Sequence, residues 1–184
     1  MSYLSQFKIA FSGLSQGLHD YNFKIDKKFF EEPQFSGSEI KNANIDLAVQ
    51  LLKQSNMLVL HFKFSSQVQV ECDRCLSESF IPVNGEQKLI VKFGEEREHN
   101  PHNEDEMLVL PTAETEIDIS QFIYEYITLL MPYQKIPCEI LNDTSICNNE
   151  VIEKLSHLSI NEKHTEQATD PRWDALKNIK KNKK

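Results

Sequence analysis

Ile45-Asp46-Leu47-Ala48-Val49-Gln50-Leu51, then Met57-Leu58-Val59-Leu60-His61-Phe62-Lys63-Phe64, then Val68-Gln69-Val70-Glu71-Cys72 place an apolar residue at every second position. A period of two sets Ile45, Leu47, Val49 and Leu51 on one face of a strand, Leu58, Leu60, Phe62 and Phe64 on one face of the next, and Val68, Val70 and Cys72 on one face of a third. Ser55 and Asn56 separate the first two runs, and Ser65 and Ser66 the next two. Links this short join antiparallel neighbours, because parallel strands need a long crossover. A further strand region spans Phe80 to Phe93, with Gly85 where a bulge or strong bend belongs.

Outward from this centre, Phe7, Ile9 and Phe11 share one face, as do Tyr21, Phe23 and Ile25, which predicts two early strands joined through Gly13, Ser15 and Gly17. Asp26 to Pro33 reads as a helical turn or loop carrying Phe29 and Phe30. Ser120 is placed to cap a helix whose Phe122, Ile123, Tyr126, Ile127, Leu129 and Leu130 recur at helical spacing until Pro132 ends it. A smaller helical segment follows at Glu150 to Leu155, then a polar linker from Asn161 to Thr169. The expected fold is mainly β, in the α+β class: a curved antiparallel sheet or partial barrel with strands near Phe7, Phe23, Leu47, Leu60, Val70 and Leu89. One main helix covers it and short C-terminal helices follow. The expected organisation is a β domain over residues 1–160, with an acidic loop at 95–106, and a C-terminal segment over residues 161–184.

The chain has 184 residues, 40 % hydrophobic and 26 % charged, enough for one domain with a packed core. No stretch approaches the roughly 20 apolar residues that cross a bilayer, and no basic start precedes an apolar run, so a cytoplasmic location is expected. The net charge of -8 is the wrong sign for a broad nucleic-acid grip, which relies on clustered Lys and Arg. Charge is segregated, however. Glu95, Glu96, Glu98, Glu104, Asp105 and Glu106 form an acidic run, and the chain ends in Lys177, Lys180, Lys181, Lys183 and Lys184. Like-charge runs are commonly solvated loops and tails; the alternative is that the two runs meet different partners.

The four cysteines fall into two pairs, Cys72 with Cys75 at a two-residue spacing and Cys138 with Cys147 separated by eight residues. Four thiolates brought together supply the tetrahedral sulfur set of a structural zinc, so all four are candidate metal ligands. Only the first pair has the tight spacing of a zinc knuckle, and 62 residues separate it from the second. Two other readings stand beside zinc. Cys72 lies on the apolar face of its strand and can simply be core. Cys72-Asp73-Arg74-Cys75 can also be a redox dithiol, although that chemistry wants a helix N-terminus at the first sulfur, and the flanks read as strands. His61 falls on the polar side of its strand, and His99 and His102 in the acidic loop. No phosphate loop, serine elbow or helical histidine pair is present in the sequence.

Val70-Glu71-Cys72-Asp73-Arg74-Cys75-Leu76 resembles the Cys-x-Arg-Cys signature of the YceD family, and Asp170-Pro171-Arg172-Trp173-Asp174-Ala175-Leu176 resembles that family's C-terminal Asp-Pro-Arg-Trp-x-x-Leu signature. Gly17-Leu18-His19 before a strand, and the helix from Ile117 to Pro132 leading into Cys138, follow the family's order of elements. The resemblance implies a bacterial accessory protein in the accumulation of large-subunit (23S) ribosomal RNA, with no established enzymatic activity. The wide spacing of Cys138 and Cys147 departs from the tight cysteine cluster of some family members.

The C-terminal motif also has a physical reading. Asp170 is a good N-cap, Pro171 suits the first turn, and Trp173, Leu176 and Ile179 fall on one face of a short helix. That helix either docks on the parent sheet or anchors in a partner's groove through Trp173. The candidate partner-binding residues are therefore Arg172, Trp173, Leu176, Lys177 and Lys180, together with Arg74 of the first motif. The partners expected are a large-subunit ribosomal protein or a pre-ribosomal particle, and ribosomal RNA through the basic end, with no membrane. The competing reading is a cysteine-dependent redox or metal-dependent RNA-processing enzyme.

Overall fold

The computed structural model describes residues 3–35, 37–94 and 107–158, and its spine is the alternating centre of the sequence. β3 (Asn42–Lys53) and β4 (Met57–Glu71) run antiparallel, with Leu47 opposite Phe64 and Leu51 opposite Leu60. The two strands expected on either side of Ser65-Ser66 are one continuous strand. The alternation never changes phase there: Leu58, Leu60, Phe62, Phe64, Ser66, Val68 and Val70 are all buried. Ser66 is tolerated in that row because its hydroxyl donates to the Val83 carbonyl and its amide donates to Asn84 Oδ1 at 3.0 Å. A buried polar group with its bonds made costs little.

β2 (Gly17–Asp26) pairs with the far side of β3. The other edge of β4 is shared by β5 (Glu78–Pro82) and β6 (Gly85–Phe93), so the single bulged strand expected over Phe80 to Phe93 is two strands. Pro82 has no amide to continue the ladder, and Val83 and Asn84 turn to bond Ser66 instead. At Gly85 an added Cβ would clash with the Leu130 side chain, so the missing side chain lets that leucine approach the start of β6.

The sheet is not wholly antiparallel, since β7 (Met107–Leu110) joins β6 in parallel. The connection of thirteen residues, 94–106, is long enough for such a return. The expected strand at Phe7 also lies elsewhere. Phe7 closes a 3-10 turn (Tyr3–Phe7), and β1 (Lys8–Ala10) pairs with β8 (Glu116–Asp118) as a separate two-stranded sheet.

α2 (Ser120–Leu130) lays Ile123, Tyr126 and Ile127 on the main sheet, with the Tyr126 ring 5.2 Å from that of Phe62. Its start is held by Asp118, whose Oδ1 accepts from the Ser120 amide at 2.9 Å and from the Ser120 hydroxyl at 2.6 Å. Ser120, expected as the cap, is instead the first helical residue and is buried. α1 (Lys27–Phe30), capped by Asp26, turns Phe29 into an aromatic run. Its ring lies 5.1 Å from Phe7 and 4.8 Å from Phe35, which stacks on Tyr124 at 4.5 Å. Each such buried apolar side chain contributes about 1.5–3 kcal/mol relative to exposure.

The chain divides into two compact units, residues 1–148 and 149–184. α3 (Pro137–Ile140) and a 3-10 turn (Thr144–Ile146) end the first. α4 (Asn149–Leu158) is the described part of the second, and Val151, Ile152, Leu155 and Leu158 recur along it at helical spacing. The acidic run 95–106 and the C-terminal segment 161–184 lie outside the described residues. Among the described residues no helix is long and apolar enough to cross a membrane.

Candidate metal centre

Cys72 follows β4 on the buried side of its alternation, and the chain turns through Asp73, Arg74 and Cys75 before β5. The turn is closed by Cys72 N–H to the Ser77 carbonyl at 2.9 Å and by Leu76 N–H to the Cys72 carbonyl at 3.0 Å. Leu76, just after the second cysteine, adopts φ 60°, a left-handed conformation that costs a side-chain-bearing residue about 1–2 kcal/mol. The turn directs backbone amides at sulfur. Arg74 N–H donates to Cys72 Sγ at 3.4 Å, and the Cys75 amide donates to the same sulfur. The amides of Ser77 and Asn148 donate to Cys75.

A second arm, residues 135–148, is tied onto this turn. Asp73 N–H donates to the Lys135 carbonyl at 2.9 Å, and Lys135 N–H donates back to Asp73 Oδ2 at 2.7 Å. Lys135 Nζ pairs with Glu39 at 2.6 Å, and Arg74 Nη1 with Glu139 at 3.3 Å. Ser77 Oγ stands 3.0 Å from Cys75 Sγ and 3.1 Å from the Ile146 carbonyl, so one hydroxyl touches both arms. On the second arm, α3 buries Cys138, and the turn Thr144–Ile146, capped by Asp143, delivers the half-buried Cys147.

The four cysteines that the sequence singles out are thus gathered at one end of the sheet, and the eight residues between Cys138 and Cys147 are taken up by α3 and the turn after it. The sulfurs interact as a chain of neighbours, Cys72 with Cys75, Cys75 with Cys147, and Cys147 with Cys138. Among the described residues no group of three or more His, Cys, Asp or Glu side chains stands ready-made around a metal position.

Burial raises the Cys72 thiol above the usual thiol range. Burial also pushes Cys75 upward, but hydrogen bonds from the Ser77 hydroxyl, the amides of Asn148 and Ser77, and Cys72 outweigh it and bring Cys75 down to about 6. Cys147 is pushed up to about 12, first by its hydrogen bond with Cys138, then by burial and repulsion from Cys138 and Cys75. One thiolate is accommodated easily in this cluster, and further ones repel it.

Of the residues expected to meet partners, Arg74 is held by Glu139 with its side chain 47 % exposed. Arg172, Trp173, Leu176, Lys177 and Lys180 lie outside the described residues, as do His99 and His102. His61 is exposed on the polar side of β4, as expected. A feature missed in the sequence is a shallow concavity of about 900 Å³ across β2, β3, β4 and β6, lined by Asp20, Asn22, Gln50, His61, Lys63 and Lys88 among others. Its mixed charges leave it without a marked ligand preference. Only the strand pairing, which aligns outward residues from four strands, brings them together.

The model of one family, described as large ribosomal RNA subunit accumulation protein YceD, matches residues 60–180. That span contains both the Cys72–Cys75 turn and the Asp170–Leu176 motif. No curated protein and no solved structure matches the chain.

Proposed function

The chain belongs to the YceD family of large ribosomal RNA subunit accumulation proteins, and from that membership we propose that it works as a non-catalytic accessory factor. In this reading its acidic body holds a basic ribosomal protein or a pre-ribosomal particle, and its basic end reaches ribosomal RNA. The observation that carries the role is the family match; charge segregation supports the division of labour. Six of the 20 Lys and Arg and two of the 28 Asp and Glu lie in residues 170–184, which leaves fourteen against twenty-six, a net -12, on the rest. A body so negative repels phosphate and favours basic surfaces. Arg172 and the lysines after it are the phosphate contacts.

Cysteine-dependent redox chemistry is the weaker reading. Hydrogen bonds hold the Cys75 thiol down to about 6, but the residue is only 1 % exposed, and a reactive cysteine needs access to its substrate.

RNA affinity tests the division of labour. The free protein is expected to bind single-stranded or duplex RNA weakly, and removal of residues 172–184 is expected to abolish most of that binding. With up to six phosphates neutralised, the log–log salt slope on single strands should approach about -4 and flatten on truncation. Unchanged affinity and slope after truncation would show that RNA is held elsewhere.

A further inference from the structure

We propose that Cys72, Cys75, Cys138 and Cys147 bind one structural zinc ion as a tetrahedral tetrathiolate, which clamps the turn between β4 and β5 to residues 135–148.

The first support is the shape of the turn. Two cysteines two residues apart, a left-handed residue immediately after the second, and two backbone amides aimed at the first sulfur supply the outer donors that a metal-bound thiolate uses, against the burial that otherwise keeps Cys72 a thiol. A neutral thiol is a weak acceptor and gains little from such donors. A metal-bound thiolate is charged, and outer hydrogen bonds of this kind orient it and stabilise its charge. The strain at Leu76, a residue that is 65 % exposed and fills no core position, is accounted for by the amide directions it permits.

The second support is the independent tethering of the other arm. The reciprocal Asp73–Lys135 bonds, the Arg74–Glu139 pair and the Ser77 bridge to Ile146 fix the two arms without any sulfur–sulfur contact. The sulfurs are therefore brought together by a scaffold that would survive without one another.

The third support is the donor chemistry. Four thiolates with no oxygen or nitrogen ligand select zinc among common divalent ions, in a closed four-coordinate site that leaves no position for substrate. Binding converts four thiols and one Zn²⁺ into a tetrathiolate and releases up to four protons, with no oxidant or reductant required. Closing the chain of neighbours into a tetrahedron falls mainly to Cys147, the one cysteine that is not buried.

The test is zinc titration of the full-length protein, stripped with chelator and kept under reductant, followed by elemental analysis and thermal melting. About one zinc per chain is expected. The melting temperature should rise by about 8–16 °C when free zinc exceeds Kd a thousandfold. Cobalt in place of zinc should give the intense visible bands of tetrahedral cobalt together with thiolate charge transfer. Cys75→Ser and Cys147→Ser, one from each arm, should each lose both the stoichiometric zinc and the thermal shift. Because loss of a buried thiol can unfold the loop by itself, the wild-type titration carries the decision. No zinc uptake and no thermal shift in the reduced wild-type chain would overturn the proposal. Iron as the only metal retained, or a stoichiometric disulfide between two of these cysteines in protein isolated without oxidant, would overturn it equally.

Discussion

Phe62→Ala is expected to lower stability by about 3–5 kcal/mol, the usual range for removing a fully buried aromatic ring. Phe62 is 1 % exposed in the middle of β4, and its ring meets Phe64 on its own strand and Tyr126 of the covering helix. The substitution therefore opens a cavity where β4 and α2 pack, a site with strands on both sides and little room to collapse. Against a total stability of about 5–15 kcal/mol, such a loss removes a large fraction of the whole. Chemical denaturation measures it as a fall in midpoint at unchanged slope. Phe80→Ala, on β5 and 42 % exposed, is the matched control and should cost about 1 kcal/mol or less. Equal losses at the two positions would show that α2 and β4 do not form the central packing layer.

Trp173→Ala is expected to weaken association with the large-subunit precursor by about thirtyfold if Trp173 anchors a partner. A buried aromatic hot spot is worth about 2 kcal/mol or more, and every 1.4 kcal/mol is a factor of ten. Lys180→Ala should change it by about fivefold or less, since an exposed ion pair contributes about 1 kcal/mol at most. Trp173 is the only tryptophan in the chain, so its fluorescence separates two versions of this role in advance. Blue-shifted emission from the free protein means that the motif docks on its own domain, and then Trp173→Ala lowers the melting temperature. Red-shifted emission means an exposed anchor, and then stability holds while association falls. Wild-type stability together with wild-type association in Trp173→Ala would remove both versions.

The strands that decide the fold were legible because burial on one face imposes a period of two, and Leu47, Leu60 and Val70 sit where that period puts them. The division at Ser65-Ser66 was a misreading of composition. Serine pairs look like turns, yet Phe64, Ser66 and Val68 keep one parity, and an unbroken phase outweighs two small polar residues of which Ser65 is exposed and Ser66 has its bonds made. The parallel pairing of β7 was not legible, since four apolar residues carry no sign of direction and their partner is fixed only by tertiary packing. Helix α2 was read correctly from its spacing, but Ser120 is its first residue rather than its cap, and Ile119 before it has no side-chain cap bond. Aspartate and serine can both cap a helix, and only the geometry shows that the Asp118 carboxylate accepts from the Ser120 amide while the Ser120 hydroxyl donates to the same oxygen.

The cysteines show the same limit at the site. Their types and the first spacing were visible, but the approach of Cys147 to Cys75 depends on Ser77, Asp73 and Lys135, none of which is marked in the sequence as a structural tie. Arg74 is the instructive case. It was singled out as a partner contact, and the structure adds a role the sequence did not mark, an ion pair with Glu139 on the second arm that leaves its side chain half exposed. The concavity across the sheet was invisible for the reason that strand register is invisible: His61 meets Gln50 and Lys88 only because β4 pairs with β3 and β6 in that alignment.

The most direct measurement of the proposed role is capture of a tagged full-length chain from cells, with the co-purifying RNA and proteins identified and compared with those of a chain ending at residue 169. Large-subunit ribosomal RNA or its precursors, together with large-subunit proteins, should be enriched over their small-subunit counterparts, and the enrichment of RNA should fall when residues 170–184 are missing. Recovery of large- and small-subunit RNA in equal proportion, or of neither, would contradict an accessory role in large-subunit production.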